Sequence, residues 1–175
     1  MVSQGPSQGP FEGRFQGEVL PIGELLQRVL AQPPHDPTSD VGVLHTAAGN
    51  AAACAELLAE GESLNGCWRF GILQTLDDYT STLRRGGTVL AAQVFTDEPA
   101  PTGSVEVDAA FAALADHLAE RDGWQAPAWA LDPERRAEDW YPDVPSTWRA
   151  EARRDSPRAF AQRGIHLTSR SLNRA

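Results

Sequence analysis

The sequence predicts a mainly α-helical fold, a compact bundle of about six helices closed by an irregular, tryptophan-rich C-terminal segment. Apolar residues recur at helical spacing in several stretches. The chain has 175 residues, of which 41% are hydrophobic, and this is enough to bury a core. Four of the five tryptophans (Trp124, Trp129, Trp140 and Trp148) fall within 25 residues. Such rings on a proline-stiffened backbone are costly to leave in water.

The N-terminal part begins with a tail and continues as helices. Residues 1–17 carry a near repeat of SQGP and are predicted to be disordered. Residues 18–96 form the N-terminal helical part, and its first helix covers 22–30 before Pro33-Pro34. Residues 41–45 suit a short strand or an extended segment equally. An alanine-rich helix is predicted over 46–60, with Gly61 just beyond its end.

The middle of the chain holds a second apolar helix. Asn65-Gly66 is predicted to form a turn, and the apolar stripe from Trp68 to Leu83 becomes helical at about Phe70. Two arginines and two glycines at 84–87 end this helix, since cations and glycine favour a helix C-terminus. Residues 88–95 suit a buried strand or a buried helix, and the helical surroundings favour the helix.

A proline-rich connector, residues 97–104, precedes the C-terminal helical and tryptophan-rich part, residues 105–175, which forms one domain with residues 18–96. Helical spacing predicts a helix over 105–121, ended by Asp122-Gly123. Further on, cap residues predict three short helices: Ser146 before 147–154, Ser156-Pro157 opening one that Gly164 closes, and Thr168 before one through Leu172.

Charge is divided unevenly along the chain. All 15 basic residues are arginines, and the net charge is −9. Residues 1–148 hold 8 arginines against 22 acidic residues, a net of −14, whereas residues 149–175 hold 7 against 2, a net of +5. Such asymmetry is typical of a basic arm that binds nucleic acid or an acidic partner. The alternative, which we favour, is that the arginines fold back onto the acidic body.

Compartment and redox chemistry follow from what the sequence lacks. No apolar run approaches the roughly 20 residues of a membrane span, and the N-terminus has no signal-peptide pattern. We therefore expect a cytoplasmic protein that does not bind membranes. Cys54 and Cys67 lie far apart without CxxC spacing, which argues against zinc and against a redox pair and predicts two buried thiols.

No catalytic or cofactor-binding motif is recognisable. The chain has no GxSxG, no HExxH and no GxxxxGK[ST] pattern. The adjacent carboxylates of Asp77 and Asp78 point about 100° apart on a helix, so they cannot act as a dyad. His117 is expected to be solvated or a capping residue. The sequence therefore predicts no metal and no cofactor, and it favours a non-catalytic protein over an enzyme.

The candidate partner-binding residues lie near the C-terminus. An arginine set accompanied by His166 and Trp140 is suited to phosphates or to an acidic protein surface. The segment 138–143 mixes acids with aromatics, so it is either a site for a cationic partner or a surface loop whose tryptophan fills its own core. The arginines are Arg149, Arg153, Arg154, Arg158 and Arg163.

Two sequence segments carry a resemblance. HLAERDGWQAPAWALDPERR and DSPRAFAQRGIHLTSRSLNRA resemble the C-terminal region of a group of uncharacterised actinobacterial proteins, over roughly residues 100–175. In that group the region often follows a helix-turn-helix domain, and some members look like antitoxin or regulator partners of nucleotidyltransferase-like toxins. The N-terminal part of this chain shows no clear helix-turn-helix. The matching residues are Trp124, Pro127, Trp129, Ser156, Pro157, Phe160, Arg163, Gly164, Ile165 and Leu172.

Three functional hypotheses follow from the residues and the resemblance. The leading one is a non-catalytic interaction or regulatory protein, antitoxin-like, whose acidic body binds a basic protein. The second is a DNA-binding transcriptional regulator that uses its arginine-rich end, which the net charge disfavours. The third is a small enzyme or ligand binder with a site around His166, Arg163 and Trp140.

Overall fold

The computed structural model describes Ile22, residues 42–168 and residues 170–172. Those from residue 42 onward belong to one compact unit, which spans Pro37–Ala175. The predicted tail over 1–17 lies outside the described residues, and so does the helix over 22–30 apart from Ile22. Within the described part, no helix is long and apolar enough to cross a membrane.

The compact unit is built from α-helices and short helical turns, which confirms the mainly helical class. Residues 42–168 contain no β-strand, and Trp140 and Ile165 form a single isolated bridge. The turns are a π-helical turn at Trp68–Ile72 and 3-10 turns at Gln93–Phe95, Ala128–Leu131 and Ser146–Trp148. The helices are α1 (Ala47–Ala59), α2 (Leu64–Cys67), α3 (Leu73–Ala92), α4 (Val105–Asp122), α5 (Arg149–Asp155) and α6 (Arg158–Ala161).

Helix α4 lies at the centre of the unit. The Ser104 hydroxyl accepts a hydrogen bond from Val107 N, which caps the helix, and Gly123 ends it at φ 74°. Most of its residues are buried, including Phe111, Leu114 and others on several faces. A helix that is apolar on several sides must be surrounded by other segments. The predicted helix over 105–121 is confirmed.

Helix α1 packs beside α4 through small residues and brings the two cysteines together. Cys54 Sγ lies 3.7 Å from the carbonyl oxygen of Cys67, and Cys67 Sγ lies 3.9 Å from that of Cys54. Both thiols are buried, as predicted, and burial is the main cause that raises the pKa of Cys54 to about 12. Their separation along the chain did not predict this proximity.

The turn predicted at Asn65-Gly66 is wrong, because these residues lie inside α2. The Ser63 hydroxyl accepts a hydrogen bond from Gly66 N at 3.0 Å and so starts a helix. The chain then continues through the π-helical turn into α3. In that turn Gly71 lies against α1, where a Cβ atom would come within 2.2 Å of Cys54 Sγ.

Helix α3 contains the predicted interruption and then continues. Gly87 has φ 72° and ψ −174°, which is not a helical conformation, so the apolar helix does end near 84–87. Helical structure resumes after it and runs to Ala92 and through the 3-10 turn at Gln93–Phe95. Residues 88–95 are therefore helical, as favoured from the sequence. Residues 42–46, before α1, form no strand.

The predicted caps of the C-terminal helices are wrong. Ser146 starts a 3-10 turn and gives no side-chain cap to α5. The Ser156 hydroxyl does not cap α6; it donates to the Ala152 carbonyl and accepts from Leu167 N, each at 2.6 Å. The Leu167 partner is supplied by the tertiary fold, because it lies 11 residues away along the chain. The described residues around Thr168 form a turn rather than a helix.

Three of the four clustered tryptophans close the core. Trp129 is 8% exposed, and its Nε1 donates to the Phe95 carbonyl at 3.1 Å. The Trp124 ring stacks on Phe95 with centroids 5.8 Å apart, and Trp140 meets Trp68 edge-on at 5.9 Å. Trp148 differs, because 45% of it is exposed. Closure by aromatic rings is thus confirmed for the first three.

Gly164 provides a test of how tightly the C-terminal segment packs. It has φ 68°, and a Cβ atom there would lie 2.2 Å from the Ala137 carbonyl oxygen. Gly103 also has positive φ, at 92°, but nothing lies within 4 Å of its Cβ position.

We expect Gly103→Ala to lose about 1 kcal/mol of unfolding free energy and Gly164→Ala roughly 3 kcal/mol, because only the latter displaces backbone. Urea unfolding measures both, and equal losses would contradict the close approach.

Candidate functional site

Arg163 is a buried structural residue rather than an exposed binding residue. Its Nη1 donates to Asp116 Oδ2 at 3.0 Å and to the Ala159 carbonyl at 2.8 Å, and its Nη2 donates to the Ala130 carbonyl. Its side chain is only 10% exposed. A charge this deep is stable only when it is paired and hydrogen-bonded. Arg163 is therefore not available to a partner.

Arg158 shares the same carboxylate from the solvent side. Its Nη2 lies 3.1 Å from Asp116 Oδ1 and 3.1 Å from Glu120 Oε2, and its Nη1 donates to Gln162 Oε1 at 2.8 Å. The hydrogen bond to Glu120 is the main cause that raises the pKa of Arg158. Asp116 thus accepts from two arginines of the C-terminal region, and both arginines are bound to α4.

Three of the remaining predicted residues lie around one tyrosine at the surface, in what we call the Tyr141 cluster. Arg153 Nη2 donates to both oxygens of Asp139, at 2.9 and 2.8 Å, and its Nε donates to the Tyr141 hydroxyl. The Arg149 guanidinium lies 4.9 Å from the centroid of the Tyr141 ring, and the His166 ring lies at the same centroid distance. The cluster is Asp139, Tyr141, Arg149, Arg153 and His166.

The backbone explains why these side chains meet. Trp140 N donates to the Gly164 carbonyl and His166 N donates to the Trp140 carbonyl, each at 2.8 Å, so the two segments lie side by side. Successive side chains of an extended segment point to opposite sides. The Trp140 ring therefore enters the core, and its two neighbours in sequence face the arginines of α5. Arg149 and Arg153 share a helix face at i, i+4.

The polar contacts of the Tyr141 cluster hold separate parts of the chain together. Asp139 accepts from Arg153 and lies 3.0 Å from His166 Nε2, so its carboxylate is fully engaged. The Tyr141 hydroxyl accepts from Arg153, and this bond is the main cause that raises the pKa of that guanidinium. No side chain in the cluster is a free nucleophile beside a free base. The cluster joins α5 to the two extended segments.

The acidic and aromatic segment 138–143 binds arginines of its own chain. Besides the contacts of Arg153, Asp143 pairs with Arg69 through two hydrogen bonds at 2.5 and 2.9 Å. Its tryptophan fills the core, as the second interpretation of the sequence predicted. The Arg154 side chain is 72% exposed, and it pairs with the adjacent Asp155 at 2.8 Å.

The three residues of the predicted ligand site contact different neighbours. Trp140 packs on Trp68, Arg163 binds Asp116, and His166 binds Asp139. In the described part of the chain, no group of three histidine, cysteine or acidic residues is placed to hold a metal ion.

Sequence reasoning missed a buried polar network at the end of α4. The Tyr79 hydroxyl donates to Asp122 Oδ2 at 2.6 Å and accepts from Trp124 Nε1 at 2.9 Å. Burial, followed by the bond to Asp122, raises the pKa of Tyr79 to about 12. Arg121 lowers the pKa of Asp122 through a paired hydrogen bond. In the sequence Tyr79 is one member of an apolar stripe, so the pattern did not indicate that its hydroxyl forms hydrogen bonds in the core.

Sequence reasoning also missed a groove beside Trp148. It has a volume of about 160 Å³ and lies between residues 143–151 and two residues near the C-terminus. We call it the Trp148 groove, and its lining residues are Asp143, Val144, Pro145, Trp148, Glu151, Thr168 and Arg170.

No family model matches the chain, and neither a curated protein nor a solved structure matches it. The resemblance of residues 100–175 to actinobacterial antitoxin or regulator partners therefore stays a hypothesis.

His117 gives the fold a measurable pH dependence. The sequence led us to expect a solvated or capping histidine. In the structure His117 is half-buried, with its ring edge-on to Phe160 at a centroid distance of 5.9 Å. Burial, reinforced by Arg121, lowers its pKa below the ordinary 6.5. Between these two values the unfolded chain binds a proton that the folded chain does not. The free energy of unfolding therefore has its full value at a pH above 6.5. It decreases as the pH falls below 6.5, because protonation of His117 favours the unfolded chain.

We expect His117→Gln to flatten this dependence. Chemical unfolding from about pH 7 to about pH 5 should show a smaller loss of unfolding free energy in the variant than in the wild type. His45→Gln, at an exposed histidine, is the matched control and should keep the wild-type slope. A wild-type slope in His117→Gln would show that His117 is not the responsible group.

Proposed function

We propose that this chain is a non-catalytic interaction protein whose acidic surface binds a basic protein partner. The observation that carries the proposal is the charge left over after internal pairing. The described residues hold 19 acidic residues and 12 arginines, a formal net charge of −7. The arginines in ion pairs with acidic residues include Arg69, Arg121, Arg135, Arg153, Arg154, Arg158 and Arg163.

Internal ion pairs neutralise a larger share of the described arginines than of the described acidic residues. Among the exposed glutamates that make no side-chain ion pair in the described part of the chain are Glu56, Glu60, Glu134 and Glu138. Glu56 and Glu60 lie at the C-terminal end of α1, whose last turn holds no basic residue. Negative charge at the negative end of a helix dipole is unfavourable and is relieved by a cation. A basic partner supplies that cation.

Electrostatic complementarity of this kind accelerates association and selects the partner. It suits the antitoxin-like half of a two-gene system, in which an acidic protein covers a basic one. The DNA-binding alternative loses support, because Arg153, Arg158 and Arg163 are bound to acidic residues of the same chain. The ligand-binding alternative loses support because its three residues face different neighbours.

The test is co-expression with the product of the adjacent gene, followed by pull-down and titration at several salt concentrations. A variant with Glu56, Glu60, Glu134 and Glu138 changed to glutamine should bind roughly tenfold more weakly, with a shallower salt dependence. The matched control changes two exposed arginines, Arg84→Gln and Arg136→Gln, and should bind as tightly as the wild type or more tightly.

Two results would count against this function. One is failure to co-purify with any partner at low salt. The other is a gel shift of duplex DNA at low salt, because phosphate contacts are strongest there and the DNA-binding alternative requires them.

A further inference from the structure

Trp148 is an exception among the tryptophans and tyrosines of this protein. The chain has five tryptophans and two tyrosines, and all of them lie in the described part. Six have a ring or a guanidinium against them: Trp68, Tyr79, Trp124, Trp129, Trp140 and Tyr141. Trp148 has neither, and 45% of it is exposed beside the Trp148 groove.

The chain itself shows how an arginine covers an aromatic ring. Arg135 lies 5.4 Å from the Trp129 centroid and pairs with Glu98 at 2.8 Å. The same arrangement recurs twice, each time as an arginine over a ring with an ion pair to a nearby acid. The two further sets are Arg121 with Tyr79 and Asp122, and Arg153 with Tyr141 and Asp139.

The Trp148 groove holds two of the three members of this arrangement. Glu151 lies one helical turn beyond Trp148, lines the groove, is half-buried and makes no ion pair in the described chain. Asp143, also in the groove, is already neutralised by Arg69. Arg149 is next to Trp148 in sequence, but its guanidinium lies over Tyr141. The ring and the carboxylate are present. Arg170 also lines the groove, but neither it nor another arginine of the described chain lies over the Trp148 ring or forms an ion pair with Glu151.

We propose that the Trp148 groove binds one arginine side chain of the partner, with its guanidinium over the Trp148 ring and paired with Glu151. This inference rests on the proposed basic partner and names its contact. Val144 and Pro145 give the groove an apolar wall for the aliphatic part of the side chain. The charge of Arg170, which also lines the groove, disfavours additional cations beside the bound arginine. The arginine is therefore flanked by neutral or acidic residues and does not belong to a basic run.

The experiment uses the full chain and a defined probe, the peptide acetyl-Gly-Arg-Gly-amide. In ¹⁵N-labelled protein each tryptophan gives one indole resonance, and the spectrum of Trp148→Leu identifies that of Trp148. We expect the peptide to shift the Trp148 resonance in a saturable way and to leave that of Trp129 in place. The same peptide with citrulline, which has the shape of arginine without its charge, should bind at least roughly fivefold more weakly.

Variants separate the groove from general acidity. Glu151→Gln should weaken binding of the arginine peptide roughly three- to tenfold, whereas Asp97→Asn, which removes one negative charge at an exposed site outside the groove, should not. A Trp148 resonance that does not move, or equal affinity for the arginine and citrulline peptides, would overturn the inference. The proposed function would survive either result, because the pull-down with the basic partner tests it separately.

Discussion

The buried ion pair between Arg163 and Asp116 is the interaction on which the closure of the molecule depends. Both side chains are 10% exposed, and the pair joins α4 to the segment that follows α6. The same guanidinium donates to carbonyl oxygens in α6 and in the 3-10 turn at Ala128–Leu131, the turn that places Trp129 on the core. Four parts of the chain therefore meet at one charge, and an ion this deep is tolerated only because its hydrogen bonds are nearly all made.

This arrangement explains why a basic C-terminal region belongs to an acidic protein. Arg158 and Arg163 neutralise Asp116 and Glu120 on α4, and Arg153 neutralises Asp139. Each exposed pair contributes little alone, but together they attach the C-terminal segment to the body. The region that looked like an arm for an external anion is a part of the fold. The surface of the described residues is acidic in formal charge and has one exposed indole, that of Trp148.

The sequence was sufficient for the helices and insufficient for the contacts between them. Periodic apolar residues predicted the helix over 105–121, and glycine chemistry predicted the interruption near 84–87, because both signals are local. Ser156 was misread as a cap, since its hydroxyl binds Leu167, a partner that exists only in the folded chain. The proximity of Cys54 to Cys67 was missed for the same reason. The candidate arginines were found by composition, and their partners were not.

A double-mutant cycle between Arg163 and Asp116 tests the structural role of the arginine-rich end most directly. The unfolding free energies of Arg163→Met, Asp116→Asn and the double variant would be measured by urea titration. We predict that Arg163→Met loses roughly 3 kcal/mol, because it removes a buried ion pair and leaves the Ala130 and Ala159 carbonyls without their donor, while Arg158 still pairs with Asp116. We further predict that the loss of unfolding free energy in the double variant is smaller than the sum of the two single losses by at least about 1 kcal/mol. Strictly additive losses, each below about 1 kcal/mol, would contradict this prediction. They would mean that Arg163 and Asp116 do not form a stabilising buried ion pair.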